Sequence, residues 1–201
     1  MLERGRPRGF DPDQALDRAL EVFWRDGFQG ASLSTLTTAM GINKPSLYAA
    51  FGDKEALYLK ALRRYAERES ACSFRAMQDE PDARRAIDTL LNSIVRLLTD
   101  RSKPGGCFVV TGSADCGTGG TPEAVQEALR QELHAGESAI RQRLKRARDE
   151  AQLPRDADLS GLAAYFAAVI SGLSVQARGG ASRAKLGSAV RFAMQAWPAP
   201  V

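Results

Sequence analysis

The amino-acid sequence predicts an all-α fold, because nearly every segment repeats its apolar residues at the spacing of a helix. Prolines and glycines fall mainly between these segments, as expected where helices end and loops begin. No segment alternates apolar and polar residues in the manner of a β-strand. With 201 residues, 44% of them hydrophobic, the chain can bury a core in one large domain or two small ones.

The first three predicted helices lie close together near the N-terminus. One begins at Asp11, a good N-cap that is followed by proline, and ends at Gly27. Two short helices follow, over about 32–40 and 43–50, and Gly41 makes the turn between them. Because an isolated helix of fewer than about 12 residues is marginal in water, the short pair is expected to pack on the first helix.

The rest of the chain is also predicted to be helical. A glycine-rich stretch from Pro104 to Pro122 interrupts it and contains the apolar run 107–110. The remaining helices are a long one from Lys54 to the break at Asp79, one that carries apolar residues from Ile87 to Leu98, a charged amphipathic helix over 122–152, and two apolar helices over 158–177 and 182–197.

The segment 32–51 has the pattern of a helix-turn-helix motif. Its apolar residues are spaced to share a core with the first helix, namely Leu36, Met40, Ile42, Leu47 and Phe51. The polar residues of the second short helix then face outward. This matches a motif whose second helix enters the major groove of DNA with its N-terminal residues leading.

Side chains on this motif suit contacts to DNA. Lys44 can donate to guanine or to a phosphate, and Pro45 offers apolar surface to a thymine methyl group. The hydroxyls of Ser46 and Tyr48 can bond phosphates, and Lys54 adds a charge at the next helix N-terminus. Ser34 and Thr35 open the first short helix and complete the set of candidate contacts. The alternative is a plain helical subdomain whose lysine and tyrosine are merely solvated.

Residues 10–65 resemble the DNA-binding domain of TetR-family transcriptional regulators. The resemblance rests on Ala19–Gly27 with Phe23, Gly30-Ala-Ser-Leu, Met40-Gly-Ile, Lys44-Pro-Ser-Leu-Tyr and Phe51-Gly-Asp-Lys-Glu-Ala-Leu57. It implies nine or ten helices, with residues 66–201 as a ligand-binding and dimerisation domain. It also implies a homodimer on a palindromic double-stranded operator and a small-molecule effector. Ala49-Ala50 departs from the bulky or basic pair of many relatives, which removes side chains that contact DNA there.

Residues 1–9 form a basic arm with an Arg-Gly-Arg-Pro core at residues 4–7 that resembles an AT-hook. A narrow A·T-rich minor groove attracts inserted arginines, so Arg6 and Arg8 are candidate DNA contacts. The equally weighted alternative is a basic tail with only non-specific phosphate affinity.

The last two helices are predicted to build the homodimer. Small residues around Ala164, Ala168 and Gly172 permit close helix approach, and a four-helix bundle across a two-fold axis would bury both helices. Packing within one protomer is the alternative. The predicted interface residues are Leu159, Leu162, Phe166, Val169, Leu173, Leu186, Val190 and Phe192.

A pocket for a small, largely apolar effector is expected in the C-terminal part, and its occupation would shift the dimer away from the spacing of the operator half-sites. The candidate lining residues are Phe74, Met77, Leu91, Ile94, Val95, Leu98, Cys107, Phe108, Phe166 and Ile170. A regulator without a ligand remains open at this point, as does activation instead of repression.

Cys107 suggests an alternative function as a sensor of oxidants or electrophiles, with Cys116 as a resolving thiol. A helix N-terminus favours the reactive thiolate. The competing interpretation is that Cys107 is a small buried apolar residue.

Other function classes find little support in the sequence. Common motifs of hydrolases, metalloproteases and nucleotide-binding enzymes are absent, there is one histidine, and the three cysteines have no metal spacing, so neither an enzyme nor a cofactor is predicted. The net charge of +4 is compatible with a polyanionic partner. No signal peptide or long apolar run is evident, which predicts a cytoplasmic protein without a membrane partner. The basic cluster of Arg141, Arg143, Lys145, Arg146 and Arg148 is expected to be a solvated face.

Overall fold

The computed structural model describes residues 9–198, which contain α-helices and no β-strand. The described residues form ten α-helices, and a π-helical turn, Ala66–Ser70, joins the fourth to the fifth without a break. The fold therefore has nine separate α-helical segments within the described residues and is all-α as predicted. The α-helices in chain order are α1 Pro12–Gly30, α2 Leu33–Met40, α3 Lys44–Phe51, α4 Lys54–Tyr65, α5 Ala71–Asp79, α6 Ala83–Leu98, α7 Phe108–Asp115, α8 Glu123–Asp149, α9 Leu159–Arg178 and α10 Arg183–Ala193.

Side-chain caps fix the starts of the first four helices. The Asp11 carboxylate accepts from the Asp13 amide at 2.9 Å, and Ser32 Oγ accepts from Thr35 N at 3.0 Å. The side chains of Asn43 and Asp53 accept from amides three residues on in the same way. These bonds satisfy amides that have no partner within the helix, which explains why local sequence predicted these boundaries.

Two glycines set the turns of the N-terminal region. Gly41 ends α2 in the left-handed conformation, with φ 69°, and leads directly to the cap of α3. Gly27 interrupts α1 with φ 72°, after which one further turn runs to Gly30. The straight part of α1 therefore ends at Gly27, as predicted, and one further helical turn follows it.

The buried apolar residues form two cores. The first contains residues of the four helices α1, α2, α3 and α4, together with α7 and the start of α8. At its aromatic centre, the centroid of the Tyr58 ring lies 4.9 Å from that of Phe23 and 5.0 Å from that of Phe108. The second joins α5, α6, α9 and α10 with the second half of α8. The long helix α8 therefore belongs to both cores, and a domain boundary near residue 65 stays a prediction.

One residue of the basic cluster on α8 is not on a solvated face, which corrects the sequence interpretation. Arg143 is completely buried, and it donates to the carbonyl oxygens of Met77, Glu80 and Pro81. These carbonyls lie at and beyond the C-terminus of α5, where helical partners are lacking. Arg141, Lys145 and Arg146 are exposed as expected and Arg148 is half-buried.

Helix α9 is long and apolar enough to cross a membrane on length and composition alone. In the protein it packs against α6, α8 and α10, with Leu159, Ala163, Phe166 and Leu173 buried in the second core. Its apolar composition is thus accounted for in part by packing within the chain.

Candidate DNA-binding face and ligand cavity

Helix α3 is divided into a buried side and an exposed side. Leu47 and Phe51 are buried in the first core. Lys44, Pro45 and Tyr48 are exposed, and nearly half of the Tyr48 surface is free. Because residues three to four apart share a helix face, these side chains form one outward surface at the N-terminal end of α3, as a recognition helix requires.

The other candidate DNA contacts of the motif differ in their exposure and in their hydrogen bonds within the protein. Ser34 and Thr35 are exposed in the first turn of α2, but the Thr35 hydroxyl lies 2.8 Å from the Ser32 hydroxyl of the cap. Ser46 is half-buried, and its amide is bound by Asn43. Thr38, which was not among the predicted contacts, is also exposed and lies four residues after Ser34, hence on the same helix face.

The ammonium group of Lys54 already contacts a side chain within the protein. Its ammonium lies 4.6 Å from the centroid of the Phe28 ring, and burial lowers the pKa of its side chain. The residue follows the Asp53 cap at the N-terminus of α4. A phosphate contact by Lys54 stays a prediction, and so does any contact by Arg6 and Arg8, which lie outside the described residues.

A cavity of about 590 Å³ lies between the π-helical turn and helices α5 to α9. Half of the predicted pocket residues lie on its wall, namely Phe74, Ile94, Leu98, Cys107 and Ile170. The others are packed in the cores instead: Met77, Leu91, Val95 and Phe166 in the second core and Phe108 in the first. Helix α8 adds a charged part to the wall that was not predicted, formed by Arg130, Glu132 and Glu137.

Cys107 precedes α7 as expected and lies on the cavity wall, half-buried. Its sulfur accepts a hydrogen bond from the Tyr65 hydroxyl at 3.3 Å, and its amide donates to Ser174 Oγ at 2.8 Å. Cys116 packs against the first core, where burial raises the pKa of its thiol.

The predicted dimer residues fall into three groups by exposure. Within one protomer, Leu159, Phe166, Leu173, Leu186 and Val190 are buried. Leu162 and Val169 are half-buried, whereas Phe192 is 68% exposed. The exposed side of α9 carries Tyr165 and Val175, which the sequence analysis did not include. The residues that form the dimer interface stay a prediction. Within the protomer, the most apolar sides of α9 and α10 are already buried.

Hydrogen bonds connect the cavity wall to α1. The Trp24 indole N–H donates to the Gly106 carbonyl at 3.2 Å, directly before Cys107. From α9, Arg178 donates to the Trp24 and Arg25 carbonyls at 2.9 and 2.6 Å. The end of α9 is therefore tied to the helix on which α2 and α4 pack.

Family models match both halves of the chain. The model described as bacterial regulatory proteins of the tetR family matches residues 15–61, which contain the motif just described. The model described as the tetracyclin repressor-like C-terminal domain matches residues 61–193. The chain belongs to the TetR family. It is a helix-turn-helix transcriptional regulator, as the resemblance of residues 10–65 implied.

Two similar TetR-family proteins come from Escherichia coli K12. The transcriptional repressor ComR is 32% identical over 97% of this chain and 92% of its own. The transcriptional repressor BdcR is 32% identical over 96% of this chain and 91% of its own.

Solved structures show the same TetR-family fold. A cysteine mutant of the regulator CifR, complexed with 26-base-pair operator DNA, is 42% identical with a TM-score of 0.91, over 96% of this chain and 100% of that one. A second CifR mutant, in which one more cysteine is replaced, is also complexed with operator DNA and has 41% identity, a TM-score of 0.91 and the same coverage.

Proposed function

We propose that this TetR-family protein is a repressor that binds a palindromic operator as a homodimer and releases it when a small, largely apolar molecule fills the cavity. The observation that carries the proposal is the outward surface of α3, with Lys44, Pro45 and Tyr48 exposed at its capped N-terminal end. Repression is supported by the similar repressors ComR and BdcR, and operator binding by CifR.

Release of the operator follows from the connection between the cavity and α1. The effector contacts the wall at Cys107, next to the Gly106 carbonyl that binds Trp24. A displacement there is passed to Trp24 and, through Ser174 on α9, to the neighbouring Arg178 contacts. The ligand thereby favours protomers in which α1, with the helices α2 and α4 that pack on it and contact α3, no longer holds α3 at the half-site spacing.

Regulation by cysteine oxidation has less support than binding of an effector. The position of Cys107 is accounted for by its bonds to Tyr65 and Ser174 on the wall of an apolar cavity. In CifR, proteins with two or three cysteines replaced still form operator complexes, so those cysteines are not required for operator binding in that protein. The proposed repressor acts in the cytoplasm by binding DNA and an effector, without catalysis or a cofactor.

A gel-shift assay on the intergenic DNA upstream of the protein's own gene tests this function. Random competitor DNA is added at fixed salt, since phosphate contacts alone give salt-sensitive, non-specific binding. We expect competitor-resistant binding with two protomers, or a multiple, per site. Binding that random DNA displaces as readily as the specific sequence would contradict the proposal.

A further inference from the structure

Most of the cavity wall is apolar, but α8 adds side chains that carry or can acquire charge. They are Arg130, Glu132, His134 and Glu137, and His134 is exposed at the surface. The charge of the effector that fits this site depends on which of these groups already have a partner.

The arginine on the wall is exposed and already has a carboxylate partner on its own helix. Arg130 forms an ion pair with Glu127, one helical turn away on α8. The same carboxylate also accepts from the Gln131 amide at 2.9 Å. An anionic effector would therefore compete with Glu127 for the guanidinium.

The two carboxylates on the wall differ from Arg130 in their burial and in their contacts. Glu132 and Glu137 are half-buried, and among residues 9–198 neither has an ion-pair or hydrogen-bond partner. Burial raises the pKa of Glu132, as expected where water solvates the carboxylate poorly. A carboxylate removed from water without a partner is unfavourable, and a cation beside it restores the lost interaction.

The hydroxyl donors on the wall are also occupied. Tyr65 donates to Cys107, Ser70 donates to the Ala66 carbonyl, and Ser171 donates to the Ala167 carbonyl. A polar group of the effector thus meets free acceptors and few free donors. The half-buried charged side chains on the wall that lack a partner within the described residues are therefore carboxylates.

We propose that the effector is an apolar amine, whose ammonium pairs with Glu132 while its hydrocarbon part packs among Phe74, Leu98 and Ile170. Glu137, five residues further along α8, adds a second negative charge at the site. This inference rests on the proposed function, because it names the chemical class of the molecule that occupies the cavity.

Isothermal titration with a matched pair of probes tests the inference on the full-length protein. The probes are 4-phenylbutylamine and 4-phenylbutan-1-ol, which have the same apolar body and differ in the charged group. We expect the wild type to bind the amine about tenfold more tightly than the alcohol, as for a charge-assisted contact.

Variants at Glu132 identify the source of this preference. Glu132→Gln should reduce amine affinity about tenfold and leave alcohol affinity unchanged, whereas Glu132→Asp should retain part of the preference. Glu123→Gln, an exposed carboxylate at the start of α8 and away from the cavity wall, is the matched control and should behave as wild type. Circular dichroism checks that each variant is folded.

Three outcomes would overturn the inference: equal affinity of the wild type for both probes, no binding of either, or unchanged amine affinity in Glu132→Gln. A gel shift with and without the amine separates this result from the proposed function. Amine binding that depends on Glu132 without release of the operator would support the ligand class and contradict the proposed regulation.

Discussion

The Arg178 guanidinium of α9 donates to the Trp24 carbonyl of α1 at 2.9 Å, across 154 positions of sequence. Trp24 lies in the last turn before Gly27 interrupts α1, where backbone carbonyls lack helical partners and a cation is favoured. The contact thus connects the C-terminal region to the helix that supports the DNA-binding motif.

Replacing Arg178 tests whether this contact stabilises the protein and transmits the effector signal. Arg178→Ala should lower the free energy of unfolding by about 1–3 kcal/mol, because two charge-assisted hydrogen bonds are lost. It should also leave more operator bound at saturating effector. Denaturant unfolding and gel shifts measure both effects. Arg183→Ala, an exposed arginine at the start of α10, is the control, and equal behaviour of the two variants would contradict the assigned role.

Side-chain truncation on α3 tests the recognition surface. Lys44→Ala and Tyr48→Ala should each weaken operator binding by about 1–3 kcal/mol, because each removes a group that reads a base or positions the helix on a phosphate. Thermal unfolding should change little, since both residues are exposed. Lys145→Ala on α8 removes another exposed lysine, whose ammonium lies 3.3 Å from the Asp149 carboxylate, and should leave operator affinity unchanged. Unchanged binding by the α3 variants would refute the assignment.

The ion pairs of Arg64 predict a pH-dependent contribution to stability. Arg64 on α4 is 8% exposed and binds Asp13 and Asp17 on α1. The hydrogen bond from Arg64 lowers the pKa of Asp17 below the ordinary value of 3.8. The stabilisation is therefore fully present above that value and is lost as the pH falls through the lower pKa of the folded protein.

Comparison of the wild type with Arg64→Met, which retains much of the side-chain volume, measures this contribution. The variant should be less stable by about 1–2 kcal/mol at neutral pH. The difference should shrink as the pH falls below about 4, because Asp17 then becomes protonated. A difference in stability that is independent of pH would mean that packing, and not the ion pair, stabilises the contact between α4 and α1.

Gly112 tests the close packing between α7 and α4. A Cβ atom at this position would lie 2.5 Å from the Tyr58 hydroxyl oxygen and 3.1 Å from a Leu129 methyl carbon. Gly112→Ala should therefore destabilise the protein by about 1–3 kcal/mol. Gly187→Ala in α10, where nothing in the same protomer lies within 4 Å of the added atom, should instead stabilise it by about 0.5–1 kcal/mol. The same sign of effect in both variants would contradict this account of the packing.

Local signals made the DNA-binding motif predictable. Ser32, Asn43 and Asp53 each cap the helix that follows, and Gly41 supplies the left-handed turn. Each feature depends on a few neighbouring residues, so sequence alone contains it. The alternation of buried and exposed positions along α3 likewise follows from helical spacing.

The cavity and the polar contacts depend on packing between distant segments, which periodicity does not describe. Phe74 lines the cavity and Met77 is in the core, although the two are one turn apart on α5. Arg143 was assigned to a solvated face because charged residues usually lie there, yet it caps the end of α5. The partners of Arg178 likewise lie far away in sequence and were not predictable from its neighbours.

Recognition of a palindromic operator by two copies of α3 can be measured with a hydroxyl-radical footprint on the upstream DNA at single-nucleotide resolution. We expect two symmetry-related protected blocks whose centres lie about 34 Å apart, or a multiple of that distance, and Tyr48→Ala should weaken both blocks together. A single protected block, or a footprint that Lys44→Ala and Tyr48→Ala leave unchanged, would contradict it.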